Sequence, residues 1–281
     1  MPELPEVETI ARGLHMRVAG DTIQSIWLGE KPEPLKSSPQ DIVKVLENAR
    51  ILQVHRVGKH IVFDLKQAGN RRGRGGRHGQ WVVHLGMTGR MQVTTPDAEI
   101  AKHTHAIAKL ASGLELRFVD PRRFGRLAVV SAGPLKSAGF QAPGDEPLES
   151  QVTRFIELFR GRKTPIKSAL LNQKLLSGVG NIYADESLFR AGIRPRRRSA
   201  TLTREQLRRL HASLQEVLRE AIALGGSSVS DYVDADGEEG FFQLQHRVYG
   251  REGEPCLVCG TPIKRIVITG RSSHYCCHCQ K

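Results

Sequence analysis

Pro2, Glu3 and Glu6 stand together in the opening run Met1-Pro2-Glu3-Leu4-Pro5-Glu6-Val7-Glu8. With Met1 removed, Pro2 presents a secondary amine at the chain terminus. Such an amine condenses with an aldehyde to a permanently cationic iminium, an electron sink, whereas a lysine imine can shed its last proton. An α-amino group titrates near ~8, so a useful fraction is nucleophilic at neutral pH. Two carboxylates, Glu3 and Glu6, follow at once. The same residue types also suit the first turn of a helix, where proline loses no hydrogen bond and acidic groups meet the positive end of the dipole. Leu4, Val7, Ile10, Ala11 and Leu14 recur at helical spacing, so a helix is expected here and these eight residues alone leave both uses open.

A second constellation sits at the other end. Cys256-x2-Cys259, sixteen intervening residues, and Cys276-x2-Cys279 have the paired-knuckle spacing of a zinc ribbon. Four thiolates fill a tetrahedral site and leave no open position, so the expected Zn2+ is single and structural. All five cysteines lie in the last 26 residues, which suits metal binding in a reducing compartment rather than disulfides. Cys277 is left over, and the x2 spacing to Cys279 favours Cys276 as the ligand.

Charge indicates the partner. The net charge is +13, with 20 basic and 13 acidic residues in 1–130, 1 and 3 in 131–150, and 21 and 13 in 151–281. Two basic stretches around an acidic link suit a polyanion contacting both, with salt-sensitive binding through counterion release. No apolar run approaches the about 20 residues of a membrane span, and no leader is expected before the motif, which points to the cytoplasm and to no membrane partner.

The elements that must position these residues follow from periodicity. Strand-prone runs at Thr22–Leu28, Ile51–Val57, Ile61–Leu65, Trp81–Leu85, Arg90–Val93, His105–Leu110 and Leu114–Val119, with a helix at Gln40–Asn48, predict a β-rich unit, sandwich or flattened barrel, ending near residue 130. A Gly/Arg-rich tract at 68–79 is expected to be a solvated hairpin insertion. Beyond a Pro- and Gly-bearing linker the pattern turns helical: Arg154–Arg160, Ile166–Asn172, Tyr183–Arg190, and Arg204–Leu224, the last opened by a Thr203/Gln206 capping box and stopped at Gly225-Gly226. The fold class is therefore α+β in two domains. The expected divisions are 1–130, a linker 131–150, a helical domain 151–240 and a ribbon 241–281. Between two of the helices, Gly178-Val179-Gly180-Asn181 forms a glycine turn into a helix whose N–H groups could hold a phosphate, with Lys163, Lys167 and Lys174 nearby.

In this order, Pro2–Glu8, Gly58-Lys59, His84-Leu85-Gly86-Met87-Thr88-Gly89, Asp120-Pro121-Arg122-Arg123-Phe124-Gly125, Gly178–Ala184 and the terminal ribbon make the chain resemble the bacterial formamidopyrimidine-DNA glycosylases of the helix–two-turn–helix superfamily, over nearly its whole length. The resemblance implies an N-terminal β-sandwich with flanking helices, a helix–two-turn–helix domain and a four-cysteine zinc ribbon. It implies a bifunctional repair enzyme, a monomer, nucleoid-associated through duplex DNA that carries oxidised bases or abasic sites. Pro2 would attack C1′, Glu3 would protonate the sugar or base with Glu6 in support, Lys59 would assist β-elimination, and Arg271 would grip the adjacent phosphate and assist δ-elimination. His84, His103, Lys163 and Asn181 would contact DNA. Met87, Arg122 and Phe124 would fill the gap left by an everted base, although residue type alone would place Met87 and Phe124 in a core. The loop 227–242 would cap that base.

Two other functions remain. An endonuclease VIII-like enzyme for oxidised pyrimidines would share the Pro2-Glu3 chemistry. A non-catalytic zinc-ribbon DNA-binding protein would need only the basic charge and the cysteines, and would leave Pro2, Glu3 and Lys59 without a purpose.

Overall fold

A computed structural model describes residues 1–67, 76–132, 139–228 and 240–281. Most of the 68–79 insert and of the 227–242 loop, and part of the linker, lie outside the described residues. The chain divides into two compact units: Met1–Pro2, Glu6–Gln141 and Ser228–Gly240 in one, Glu3–Pro5, Ala142–Ser227 and Phe241–Lys281 in the other.

The first unit is built on strands β1 (Thr22–Leu28), β2 (Ala49–Val57), β3 (His60–Gln67), β4 (His78–His84), β5 (Arg90–Thr94), β6 (Thr104–Leu110), β7 (Glu115–Val119) and β8 (Arg126–Ala132). Helices α1 (Leu4–Val18) and α2 (Pro39–Leu46) accompany them. Hydrogen bonding joins all eight strands into one sheet, ordered β5-β7-β6-β1-β2-β3-β4-β8, with every pairing antiparallel. The apolar stripe of α1 (Val7, Ile10, Ala11, Leu14, Val18) packs with Ile42 and Leu46 of α2 and with Phe63, Trp81 and Phe118 of the sheet. That periodicity, rather than intrinsic propensity, accounts for the helix, because packing of an amphipathic face supplies most helical stability in a protein. Sequence patterning located seven of these strands; β8, an edge strand beside β4, had no assigned range.

The second unit holds α3 (Val152–Phe159), α4 (Ile166–Leu170), α5 (Asn181–Arg190) and α6 (Arg204–Ala223). Thr203 and Gln206 form the expected capping box on α6, and Gly225 and Gly226 end it at φ 75° and 85°. Leu4, the first residue of α1, belongs to this unit's core with Phe155, Leu170, Tyr183, Leu214 and Phe242. A hairpin of β9 (Lys264–Ile268) and β10 (Arg271–Tyr275) closes the chain. Its turn, Thr269-Gly270, takes φ 48° and 74°, the paired left-handed geometry that a two-residue hairpin requires.

Candidate active site and nucleic-acid interface

Within the first unit, the β2–β3 turn is tied to α1 by one arginine. Arg56 Nε donates to Glu8 Oε2 at 2.8 Å while its Nη1 donates to the Gly58 carbonyl at 3.2 Å. Gly58 turns at φ 61°, and Lys59 follows it, buried at 8% exposure rather than splayed into solvent as an ordinary hairpin lysine would be. Glu6 is likewise buried.

His84, at the end of β4, has its pKa pushed down to about 4, first by burial and then by the positive charges of His60, Arg126 and Lys59. Its Nδ1 accepts the Gly86 N–H at 3.1 Å, so the neutral ring carries its proton on Nε2, a donor suited to a phosphate oxygen.

The turn after β7 is organised by the fully buried Asp120. Oδ1 accepts from Thr88 Oγ1 (2.6 Å) and the Arg122 N–H (3.2 Å), and Oδ2 accepts from the Gly125 N–H (2.7 Å). A Cβ at Gly86 would lie 2.6 Å from the Gly125 nitrogen, so the loops carrying Met87 and Phe124 meet backbone to backbone. Met87 and Phe124 are 43% and 54% exposed, which removes the core alternative, and the Arg122 guanidinium lies 4.8 Å from the Phe124 ring centroid. His103, exposed at φ 73°, leads into β6.

Within the second unit, Glu3 is the anion at the start of α5. Leu4 N–H donates to the Gly178 carbonyl at 3.0 Å, and Ile182 N–H donates to Glu3 Oε1 at 3.2 Å. This helix terminus, whose N–H groups could hold a phosphate, gives one of its first-turn N–H groups to the protein's own carboxylate. Gly180 faces that carboxylate so closely that a Cβ there would collide with it.

Lys167, grouped by sequence with phosphate-seeking lysines, is instead fully buried against Asp185, Nζ to Oδ1 2.7 Å. Burial lowers its pKa, opposed by Asp185. The same ammonium donates to the Ser272 carbonyl at 2.6 Å, and Asp185 Oδ2 accepts the His274 N–H at 2.9 Å. Asn181 Nδ2 donates to Ser272 Oγ at 3.2 Å. Three side chains of α4 and α5 thus fix the strand whose first residue is the exposed Arg271. Lys163 is exposed within the α3–α4 connection.

The thiolate atoms of Cys256, Cys259, Cys276 and Cys279 all lie within 4.8 Å of one another. Cys256–Cys279 and Cys259–Cys276 are 3.9 and 3.5 Å apart, near the ~3.8 Å edge of a tetrahedron with ~2.3 Å Zn–S bonds. This set fits one structural zinc, and Cys277 stands outside it, with its carbonyl accepting from Arg194.

Family models agree with this arrangement along the chain. The formamidopyrimidine-DNA glycosylase N-terminal domain matches residues 1–127, its H2TH domain 143–233, and the zinc finger found in FPG and IleRS 253–281. The chain belongs to the formamidopyrimidine-DNA glycosylase family. The formamidopyrimidine-DNA glycosylase of Solibacter usitatus (strain Ellin6076) is 44% identical, with 100% of both chains covered. Among solved structures, the complex of the Lactococcus lactis FPG mutant G226P with a Fapy-dG containing DNA is similar at TM-score 0.87 and 34% identity, covering 100% of both chains. The wild-type Lactococcus lactis FPG in complex with an oxidized pyrimidine containing DNA is similar at TM-score 0.85 and 34% identity, again with 100% of both chains covered.

In this member of the formamidopyrimidine-DNA glycosylase family, sequence reasoning missed Arg56, Lys167, Asp185 and Asp120 as supports. The Asp-Pro-Arg-Arg-Phe-Gly motif contains Asp120, and an aspartate whose carboxylate can take the N–H two residues on, here Arg122, is a signal for an Asx-type turn. Nothing local marks Lys167 as buried.

Proposed function

We propose that the protein is a bifunctional DNA glycosylase and lyase that excises oxidised purines, 8-oxoguanine and formamidopyrimidines, from duplex DNA. The observation that carries this is Glu3: a carboxylate next to the prospective proline nucleophile, held in place by the α5 terminus rather than left in solvent. After loss of Met1, the Pro2 nitrogen attacks C1′ of the everted nucleotide and the C1′–base bond breaks, with Glu3 protonating the sugar or the departing base and Glu6 supporting it. The C1′–O4′ bond then opens, its oxygen taking a proton from Glu3, and the iminium so formed acidifies the C2′ proton. Its removal expels the 3′ phosphate, with Lys59 assisting proton transfer, and a second elimination assisted by Arg271 expels the 5′ phosphate. Hydrolysis of the adduct returns the amine.

His84, His103, Lys163, Asn181 and Arg271 contact the phosphate backbone in this account, and Met87, Arg122 and Phe124 occupy the space vacated by the base, which offsets part of the few kcal/mol that unstacking costs. The functional division into 1–130, 131–150, 151–240 and 241–281 follows these roles. No helix among the described residues is long and apolar enough to cross a membrane, and a DNA substrate places the enzyme, as a monomer, in the cytoplasm.

The test is cleavage of matched duplexes carrying 8-oxoguanine, formamidopyrimidine-guanine, an abasic site or an oxidised pyrimidine. Excision and strand cutting of the purine lesions support the account. Because a similar protein has been seen on oxidised pyrimidine DNA, activity confined to the pyrimidine would establish the endonuclease VIII-like alternative, and binding without cleavage would establish the non-catalytic one.

A further inference from the structure

The chain leaving β8 comes back to the first unit's sheet at Phe140, and no step above uses that contact. The Phe140 N–H donates to Gln80 Oε1 at 2.6 Å. Gln80 Nε2 donates in turn to Asp64 Oδ1 at 2.7 Å, and Asp64 Oδ2 accepts from Gln53 Nε2 at 2.6 Å, so this end of the linker is fastened to β4, β3 and β2 in succession. Held there, the Phe140 ring lies 4.6 Å from the His60 ring, centroid to centroid, and the His60 ring lies 4.9 Å from that of His84.

His60 is paired with His84 across β3 and β4, and His84 with Arg126 across β4 and β8. Residues directly opposed on neighbouring strands share a face, so His60, His84 and Arg126 form one row, with Lys59 in the adjoining turn. Like charges so placed repel, and the row is most stable with both rings neutral beside Arg126. Burial first, then the charges of His60 on β3, Arg126 on β8 and Lys59 in the turn, lower the pKa of His84. His60 is lowered too, by burial first and by Arg126, against the backbone of Val57. Charging His84 would also put a proton on Nδ1 and break the bond it receives from the Gly86 N–H.

We infer that His60 is a positioning residue for His84: clamped by Phe140, its ring walls one side of His84, so that His84 Nε2 meets a DNA phosphate as a neutral, directed donor and not as a cation. The inference rests on the phosphate contact assigned to His84 above. A cation adds about one released counterion and attracts any phosphate in reach, whereas a neutral N–H contributes only where its direction is met. His84 thereby adds to register on the duplex rather than to non-specific affinity, and its contact is the same at pH 7.5 and pH 5.5.

Long-range proton–nitrogen NMR spectra of the imidazole rings read both protonation and tautomer in the free protein, with the His84 signal identified by its loss in His84→Gln. At both pH values the parent protein should show His84 neutral, with its proton on Nε2. His60→Ala should leave His84 substantially charged at pH 5.5, and His60→Phe, which keeps a ring and carries no charge, should restore the neutral form. A charged His84 in the parent at pH 5.5 overturns the inference without any variant, as does a His60→Ala protein whose His84 signal matches the parent. Binding to a non-cleavable duplex carrying an abasic-site analogue is then measured against salt. His60→Ala should release about one ion more than His60→Phe at pH 5.5, and the same number at pH 7.5. A His84 that charges in His60→Ala while the two salt dependences stay equal overturns instead the phosphate contact of His84, the part of the repair account on which the inference rests.

Discussion

Lys167 Nζ stands 2.7 Å from Asp185 Oδ1, with both side chains sealed from solvent, and the same two residues bond the backbone of Ser272 and His274 on β10. A buried pair of this kind adds little net stability over an apolar pair, but removing one partner strands a charge. Its use here is geometric. It fixes the strand that begins at Arg271, so a residue proposed to grip phosphate is mounted on a rigid base.

Lys167→Met should therefore lower the unfolding free energy by about 3–5 kcal/mol, and Lys167→Met with Asp185→Leu should recover a substantial part of that loss. Urea unfolding of both variants checks this. A single variant as stable as the parent protein would show that the pair does not hold the strand.

Gly180 is at φ −131°, a conformation open to any residue, so alanine there strains nothing in the backbone and acts only through its Cβ on the Glu3 carboxylate. Gly180→Ala should reduce base excision about a hundredfold, the scale of one displaced acid–base group, with zinc content retained. Unchanged single-turnover excision would mean that the Glu3 position is not required.

Acid should destabilise the protein through two histidines. His84 and His246 both have pKa values lowered from 6.5 to about 4, in each case chiefly by burial. With the folded pKa below the unfolded one, the unfolded chain binds more protons. The neutral rings thus contribute full stability above pH ~6.5, and this is lost as pH falls towards ~4, by up to about 3 kcal/mol for each ring. Urea midpoints at pH 7.5, 5.5 and 4.5 should fall in the parent protein and fall less steeply in His84→Gln. Identical slopes would contradict this assignment.

The zinc site gives a cleaner contrast. Cys276→Ser should lose the metal and, with it, DNA binding through Arg271, because β10 carries both Arg271 and the approach to Cys276. Cys277→Ser should keep one zinc per chain. Metal analysis of the two purified variants decides, and retention in the first or loss in the second would reassign the ligand.

Much of this was legible in sequence because the signals are local. The alternation in Thr22–Leu28, the Thr203/Gln206 capping box and the Cys-x2-Cys pairs each depend on residues a few positions apart. Strand β8 was harder: it lies at the sheet edge, with Val129 and Val130 only partly covered, and its partner β4 is more than forty residues earlier. Lys167 illustrates the same limit at a site residue. It reads as one more basic side chain beside a glycine turn, and only the fold brings Asp185 and Ser272 to it. Met87 and Phe124 erred in the other direction, since their residue type suits a core and their exposure follows from the Asp120-bonded turn and the close approach of Gly86 to Gly125. At the α5 terminus Glu3 accepts the Ile182 N–H, a partner far away in sequence that the glycine turn does not announce.

The most direct test of the central claim is borohydride reduction of the protein on DNA containing 8-oxoguanine or an abasic site, followed by mass spectrometry of the N-terminal peptide. The account predicts a peptide beginning at Pro2, without Met1, carrying the reduced sugar adduct on the proline nitrogen, and no adduct from Pro2→Gly. Fully active protein that retains Met1, or an adduct mapped to a lysine instead, would contradict it.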